Sequence, residues 1–514
     1  MDILRLAMLT IDGGPLQIAD VVRVARDGED VALASSVRER MAATRAVVER
    51  LDAEGAVAYG VTTGFGALAD RAIDPADRGT LQRAVVLSHA AGMGDRLDDE
   101  VVRGMVLLRA RTLAAGLSGV RYELPEALVS LLRAGIVPWV PEHGSLGASG
   151  DLAPLAHAAC VLLGEGWVAE EAGRVRGGDA LGAHGLKPLD VGPKEGLALI
   201  NGTDSVSAML ALAAHDMAVL LRAADCACAM SAEALLGTVQ AYDEQVVALR
   251  PAPGQADSAL NLRRLLQGSP MVASHRDSHH AVQDAYSLRC APQVHGAARD
   301  VHGFCRATVE HELASVVDNP VVIDGDVISA GNFHAQALAY AADMLASVCA
   351  DVAAISERRV DRLLDPARSR GLPAFLSREP GLNSGFMIAQ YSAAAMVAAL
   401  RAAAGPFAVQ SASTSAGQED HVSMAHEAAL RTRRSVTQLR NVLSVEFVCA
   451  AQALDLRAPL RPAPGTGALR AAVRRLVEPL EADRVLSDDL ATVASWLRDN
   501  GCGSALRDTV EALR

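Results

Sequence analysis

The sequence contains no window of 18 uninterrupted apolar residues, the length a membrane-crossing helix needs, so no span is expected. Its first residues, MDILRLAMLTIDGG, lack a positive leading region, and Asp2 and Arg5 break the apolar stretch; a secretory signal is not expected either. There is no long basic run, and 48 Lys and Arg against 61 Asp and Glu leave a net charge of −13. Phosphate binding needs clustered cations, so nucleic acid is not the expected partner. The eight cysteines form no CxxC pair, and Cys226 and Cys228 make only a CxC inside a helical-looking run. Scattered thiols in apolar surroundings predict reduced, buried cysteines and a cytoplasmic setting instead of a disulfide framework. Internal repeats and low-complexity linkers are missing too.

What is present is length and apolar content. The 514 residues are half apolar, enough for a large core and too many for one ordinary lobe. Residues 1–200 mix short helical patterns with Gly- and Pro-containing turns. From Ser205 the chain turns Ala- and Leu-rich for over thirty residues, and the same texture returns from His334, near 385–404 and over 421–456. Summed helix propensity over such windows predicts long helices, apolar around much of their circumference and therefore buried against one another. Strand signals are few: Val321–Ile328 reads as a hairpin about Asp324-Gly325, and the tail from Arg461 returns to turns and shorter helices. The expected fold is mainly α. A mixed N-terminal lobe, residues 1–200, precedes a body of long helices with a helical tail, residues 201–514.

The stretch GSLGASGDLAPLAH, Gly144 to His157, packs six small residues into the seven positions 144–150 before an apolar helical pattern. It is not a nucleophile elbow, because Asp151 stands where the last glycine of G-x-S-x-G belongs. It has no G-K-[ST] ending, and its glycines fall every third residue, which is not the dinucleotide fingerprint. One reading is a plain turn in which Ser149 or Asp151 caps a helix starting near Pro154. The other is chemical. The Gly150 amide nitrogen can attack the Ala148 carbonyl, since glycine reaches backbone geometries that other residues avoid. Loss of water from Ser149 then leaves a five-membered imidazolone carrying an exocyclic methylidene. Such a group is a strong electrophile, which no ordinary side chain is.

This stretch resembles the signature of the aromatic amino acid ammonia-lyase family, whose prosthetic group is methylidene-imidazolone (MIO). Further motifs of that family follow in order: YGVTTGFG from Tyr59, LQRAVVLSHAAG with Ser88 and His89, and LINGTD with Asn201. VQDAYSLRCAPQ holds Gln283, Tyr286 and Arg289; GNFH holds Phe333; GQEDHVSM holds Glu419. The resemblance spans Tyr59 to Met424 and implies a fumarase/aspartase-like helical core. It also implies MIO formed autocatalytically from Ala148-Ser149-Gly150, no external cofactor, and a homotetramer whose sites draw residues from three subunits.

The roles carried over are these. Tyr59 is the base that removes a β-proton; a free phenol ionises near pH 10, so an alkaline optimum is expected. Tyr286 and Glu419 are the other catalytic side chains. Arg289 clamps a carboxylate through its planar fork, with Gln283 beside it. Asn201 serves the substrate amine, or caps the long helix that follows. Phe333 and Met387, the latter in SGFMIAQ, wall and floor the pocket; each is otherwise an ordinary core residue. Family members acting on phenylalanine or tyrosine resemble one another in placing Phe-Leu or His-Leu at Ser88-His89, and an amide at Glu419. A buried carboxylate gives a phenyl ring nothing and is costly unpaired. It accepts an N–H from imidazole. Unless they form an internal pair bridging helices, Glu419 and His89 thus imply L-histidine as substrate, converted to trans-urocanate and ammonia. Another MIO enzyme (a phenylalanine or tyrosine lyase, or an aminomutase) and an inactive helical scaffold remain the alternatives.

His275, His279 and His280, in HRDSHH, include an i, i+4 pair without the Glu of H-E-x-x-H, so no catalytic metal is expected. Two departures from the family's frequent wording are NGTD for NGTQ and QDAYSLR for QDPYSLR.

Overall fold

The Ala- and Leu-rich stretches fold as long helices, Asp204–Ala234, Gln336–Leu364, Met387–Ala403 and Ala425–Leu456, joined by Ala291–Ala314. Their interiors hold almost no Gly or Pro, and most of their apolar residues are buried, although Tyr340, Met344, Ile388 and Tyr391 are exposed. This is a computed structural model, and it describes residues 8–171, 173–277 and 282–514. The expected mainly α fold is observed. The hairpin is present as Val321–Ile323 paired antiparallel with Asp326–Ile328. Asp324 and Gly325 take φ of 52° and 86°, as a tight two-residue turn demands.

Among the described residues three other two-stranded ribbons are present that the sequence did not signal. Leu9–Ile11 pairs in parallel with Val31–Leu33; Met93–Arg96 pairs with Pro141–His143, and Trp167–Glu170 with Gly173–Arg176. Each strand is three or four residues long, too short for alternation to register.

By spatial contact the chain divides into two units, each assembled from separate stretches of the sequence. The first comprises Met1–His215, Cys305–Asp343 and Pro406–Thr432; the second comprises Asp216–Phe304, Met344–Gly405 and Arg433–Arg514. The boundaries cut through four long helices, because compact units follow spatial contact and not the texture of the chain. The first unit has one large core, in which Asp99–Ala114 packs against Ile18–Ala25 and Glu123–Ala134, and Arg78–His89 against Leu152–Leu162 and Glu195–Ile200.

Among the described residues two helices are long and apolar enough by length and composition to cross a membrane, although neither holds 18 unbroken apolar residues: Asp204–Ala234 and Gln336–Leu364. Of their most apolar windows, 83% and 61% is buried within the protein. All eight cysteines are free thiols, seven of them buried.

Candidate active site

The Gly144–Gly150 loop is held in a backbone that ordinary residues avoid. Ser149 has φ of 53° and Gly150 of 71°, both left-handed. Glycine is required at 150: a Cβ there would fall 2.1 Å from the Gly202 carbonyl oxygen. Neighbouring segments grip the loop by its own backbone. The Ala335 and Met424 amides donate to the Gly147 and Leu146 carbonyls at 3.1 and 2.8 Å, and the Ser423 hydroxyl donates to Gly147 at 2.9 Å.

Asp151 does not cap the helix that follows it, Leu152–Leu162. Its carboxylate is drawn elsewhere. It accepts from the Ser145 hydroxyl at 2.8 Å and from the Val206 amide at 2.9 Å, so it satisfies the first turn of the long Asp204–Ala234 helix. Its other partner is His426, 3.3 Å away, whose second ring nitrogen lies 2.8 Å from the Glu142 carbonyl. Burial works against the His426 imidazolium, yet the Asp151 hydrogen bond and charge outweigh it and hold the pKa above the ordinary value.

Tyr59 stands at the turn that opens this region. Its hydroxyl oxygen accepts the Gly66 amide at 3.2 Å, and its ring meets Phe65 edge-on at 6.4 Å. Gln82 secures the turn, donating to the Gly60 carbonyl and accepting the Leu197 amide. Gly66 abuts Ser415, since a Cβ at 66 would fall 2.6 Å from the Ser415 hydroxyl. That contact brings in the loop carrying Glu419. One Glu419 oxygen lies 3.5 Å from the Ser149 hydroxyl, and the other accepts from Thr414 at 2.9 Å. His89, half-buried at the end of Arg78–His89, bonds Ser88 through Nδ1 at 3.1 Å. Burial lowers its pKa, while the Val85 carbonyl and the Glu419 charge oppose the shift.

Asn201 is buried, but it ends the short Glu195–Ile200 helix and does not cap the long one. Its amide donates to the Asn319 carbonyl at 2.7 Å. The next residue, Gly202, forms a parallel bridge with Gly150, which puts Asn201 beside the tripeptide. Phe333 is half-buried, two residues before the Ala335 amide that holds the loop. The first unit thus gathers Tyr59, His89, Ala148, Ser149, Gly150, Asn201, Phe333 and Glu419.

Gln283, Tyr286, Arg289 and Met387 belong to the second unit. Tyr286 is 70% exposed, and the Arg289 guanidinium lies 4.7 Å from its ring centroid. The buried Arg289 Nε has no hydrogen-bond partner among the described residues. Met387 opens the Met387–Ala403 helix, half-buried. Of the three histidines weighed as metal ligands, His275 bonds the Met271 and Gly237 carbonyls, and His279 and His280 lie outside the described residues.

Sequence reasoning missed the supports: Thr414 beneath Glu419, His426 on Asp151, and two buried ion pairs, Arg109 with Asp204 and Lys194 with Asp318. Arg109 carried a legible signal, a cation within the apolar run MVLLRARTLA.

The family described as aromatic amino acid lyase matches residues 16–475. The chain is 47% identical over 490 residues to a histidine ammonia-lyase of Streptomyces avermitilis, covering 95% of this chain and 96% of that one. It is 49% identical to that of Streptomyces griseus over 485 residues, 93% and 94% of the two chains. Among solved structures, a tyrosine aminomutase from Streptomyces globisporus superposes with a TM-score of 0.93 at 34% identity, covering 99% of this chain and all of that one. Histidine ammonia-lyase from Trypanosoma cruzi gives 0.90 at 37% identity, covering 98% and 96%. The chain belongs to the aromatic amino acid lyase family.

Proposed function

We propose that this lyase is a histidine ammonia-lyase, converting L-histidine to trans-urocanate and ammonia. The observation that carries the reading is Glu419, an ionisable carboxylate 3.5 Å from Ser149 with His89 in its field. It offers an acceptor to an imidazole N–H and would be a costly neighbour for a phenyl ring. The relatives named histidine ammonia-lyase support the same substrate.

Ala148-Ser149-Gly150 suits methylidene-imidazolone: Ser149 is left-handed, and the space at Gly150 admits no Cβ. Formed there, the group supplies an electrophile for an amine, chemistry that protein side chains do not offer. The remaining tasks fall to the chain's own residues. Tyr59, its oxygen fixed by the Gly66 amide, takes the β-proton. Arg289, whose Nε–H meets no acceptor among the described residues, clamps the substrate carboxylate, and Gln283 and Tyr286 act beside it. Asn201 faces the amine, Phe333 and Met387 enclose the ring, and His89 and Glu419 orient it.

The working form is a homotetramer whose sites draw residues from three copies. Ile388 and Tyr391, one turn apart and each 60% exposed, give the Met387–Ala403 helix an apolar face for a copy to cover. Eight free thiols support a cytoplasmic location. The similarity to tyrosine aminomutase favours a second reading, in which the amine returns to the β-carbon. One assay separates them: histidine, phenylalanine and tyrosine are offered separately and the products followed by ultraviolet absorbance and chromatography. Urocanate is expected to dominate. Faster formation of cinnamate, coumarate or a β-amino acid overturns the histidine reading.

A further inference from the structure

Arg109 is fully buried in the Asp99–Ala114 helix, and none of the roles above uses it. Its Nη1 donates to the carbonyls of Ala198 and Asn201 at 2.9 and 2.7 Å, and its Nη2 meets Asp204 at 2.5 Å. Both side chains of the pair are 1% exposed. Between those contacts sits Gly202. A Cβ there would fall 2.0 Å from Arg109 Nη2 and 2.6 Å from Asp204 Oδ2. Beyond it lies the tripeptide: the Gly202 carbonyl accepts the Asp151 amide at 2.6 Å, and Gly150 pairs with Gly202.

We infer that Arg109, with Asp204 as its counter-charge, is a positioning residue for the cyclisation of Ala148-Ser149-Gly150, acting through Gly202. The inference rests on the reading that this tripeptide becomes methylidene-imidazolone. In that reaction the Gly150 nitrogen bonds to the Ala148 carbonyl carbon. The carbonyl oxygen leaves as water with the amide protons of Gly150 and Ser149, and a second water carries off the Ser149 hydroxyl and its α-proton. No oxidant is needed. The obstacle is conformational, since an ordinary peptide seldom brings that nitrogen onto that carbon, and a rigid surround removes most of the entropic cost. Gly202 is that surround. With the guanidinium filling the space behind it and holding the carbonyls on its N-terminal side, the turn cannot recede from Gly150. Asp204, where the family's frequent wording has Gln, keeps the buried cation paired; alone it would be strongly destabilising.

Intact mass reads the outcome directly, because the cyclised chain is lighter by two waters. The purified full-length chain is compared with Asp204→Asn and with Arg109→Met/Asp204→Leu, which replaces the pair by apolar groups of similar size and keeps the test open should the single variant fail to fold. Near-ultraviolet circular dichroism establishes which variants are folded. Asp225→Asn is the control, since it breaks a buried pairing with His295 and Arg299 in the second unit. The unaltered chain and the control are expected to carry the full mass deficit, the control at a lower melting temperature. The folded Asp204 and Arg109 variants are expected to be mostly uncyclised. A full deficit in those variants overturns the inference, as does an equal loss in the control, which would tie cyclisation to stability alone. No deficit in the unaltered chain overturns the MIO reading and this inference with it.

Discussion

Glu419 divides its carboxylate between two hydroxyls: Thr414 holds one oxygen at 2.9 Å and Ser149 stands 3.5 Å from the other. The short bond fixes the side chain. The longer contact leaves the second oxygen less tightly held.

Glu419→Gln keeps this shape and removes the charge. The specificity constant for histidine is expected to fall about 10- to 100-fold, the worth of a charged hydrogen bond, with little change toward phenylalanine. Steady-state kinetics on both substrates checks it. Equal losses on the two would remove Glu419 from ring recognition.

Tyr59→Phe removes the phenol and leaves the ring against Phe65. Turnover is expected to drop about 10²- to 10⁴-fold, the usual contribution of a positioned base, with a small change in KM. Near-normal turnover would assign the β-proton to another group.

His89 is expected to titrate below the ordinary imidazole value of 6.5, because burial disfavours its cation while the Val85 carbonyl and Glu419 oppose the shift. Removing the Glu419 charge should lower the midpoint further. The unfolded imidazole takes its proton first, so the stability from this site is complete above pH 6.5 and is lost as the pH falls below it. Imidazole NMR titration of the unaltered chain and Glu419→Gln tests both the direction and its cause.

Two glycine substitutions should diverge. Gly202→Ala drives a methyl to 2.0 Å from Arg109 Nη2 and is expected to cost about 1–3 kcal/mol or more, as overpacking does. Gly182→Ala, in the Gly177–Ala183 helix with open space around it, should be neutral or stabilising by up to about 1 kcal/mol. Denaturant melts of the two variants measure the difference.

The long helices were legible because Ala and Leu runs of thirty residues leave one local solution, and the Asp324-Gly325 hairpin because only that turn chemistry joins two short β-branched runs. The short ribbons were not, since three residues carry no period. The role of Asp151 was not legible, since capping rules offered only Ser149 or Asp151 as a local cap, while its carboxylate answers to Ser145, Val206 and His426, all brought to it by folding.

The sequence by itself determined the helical body, the small-residue tripeptide and the motifs that carry reactive side chains, because propensity, glycine's backbone freedom and residue chemistry are properties of short segments. Only the tertiary structure decided that Glu419 meets Ser149, that Gly202 interlocks with Gly150, and that Arg109 and Asp204 stand behind that contact. Those pairings join residues distant along the chain, and their geometry depends on how the helices between them pack.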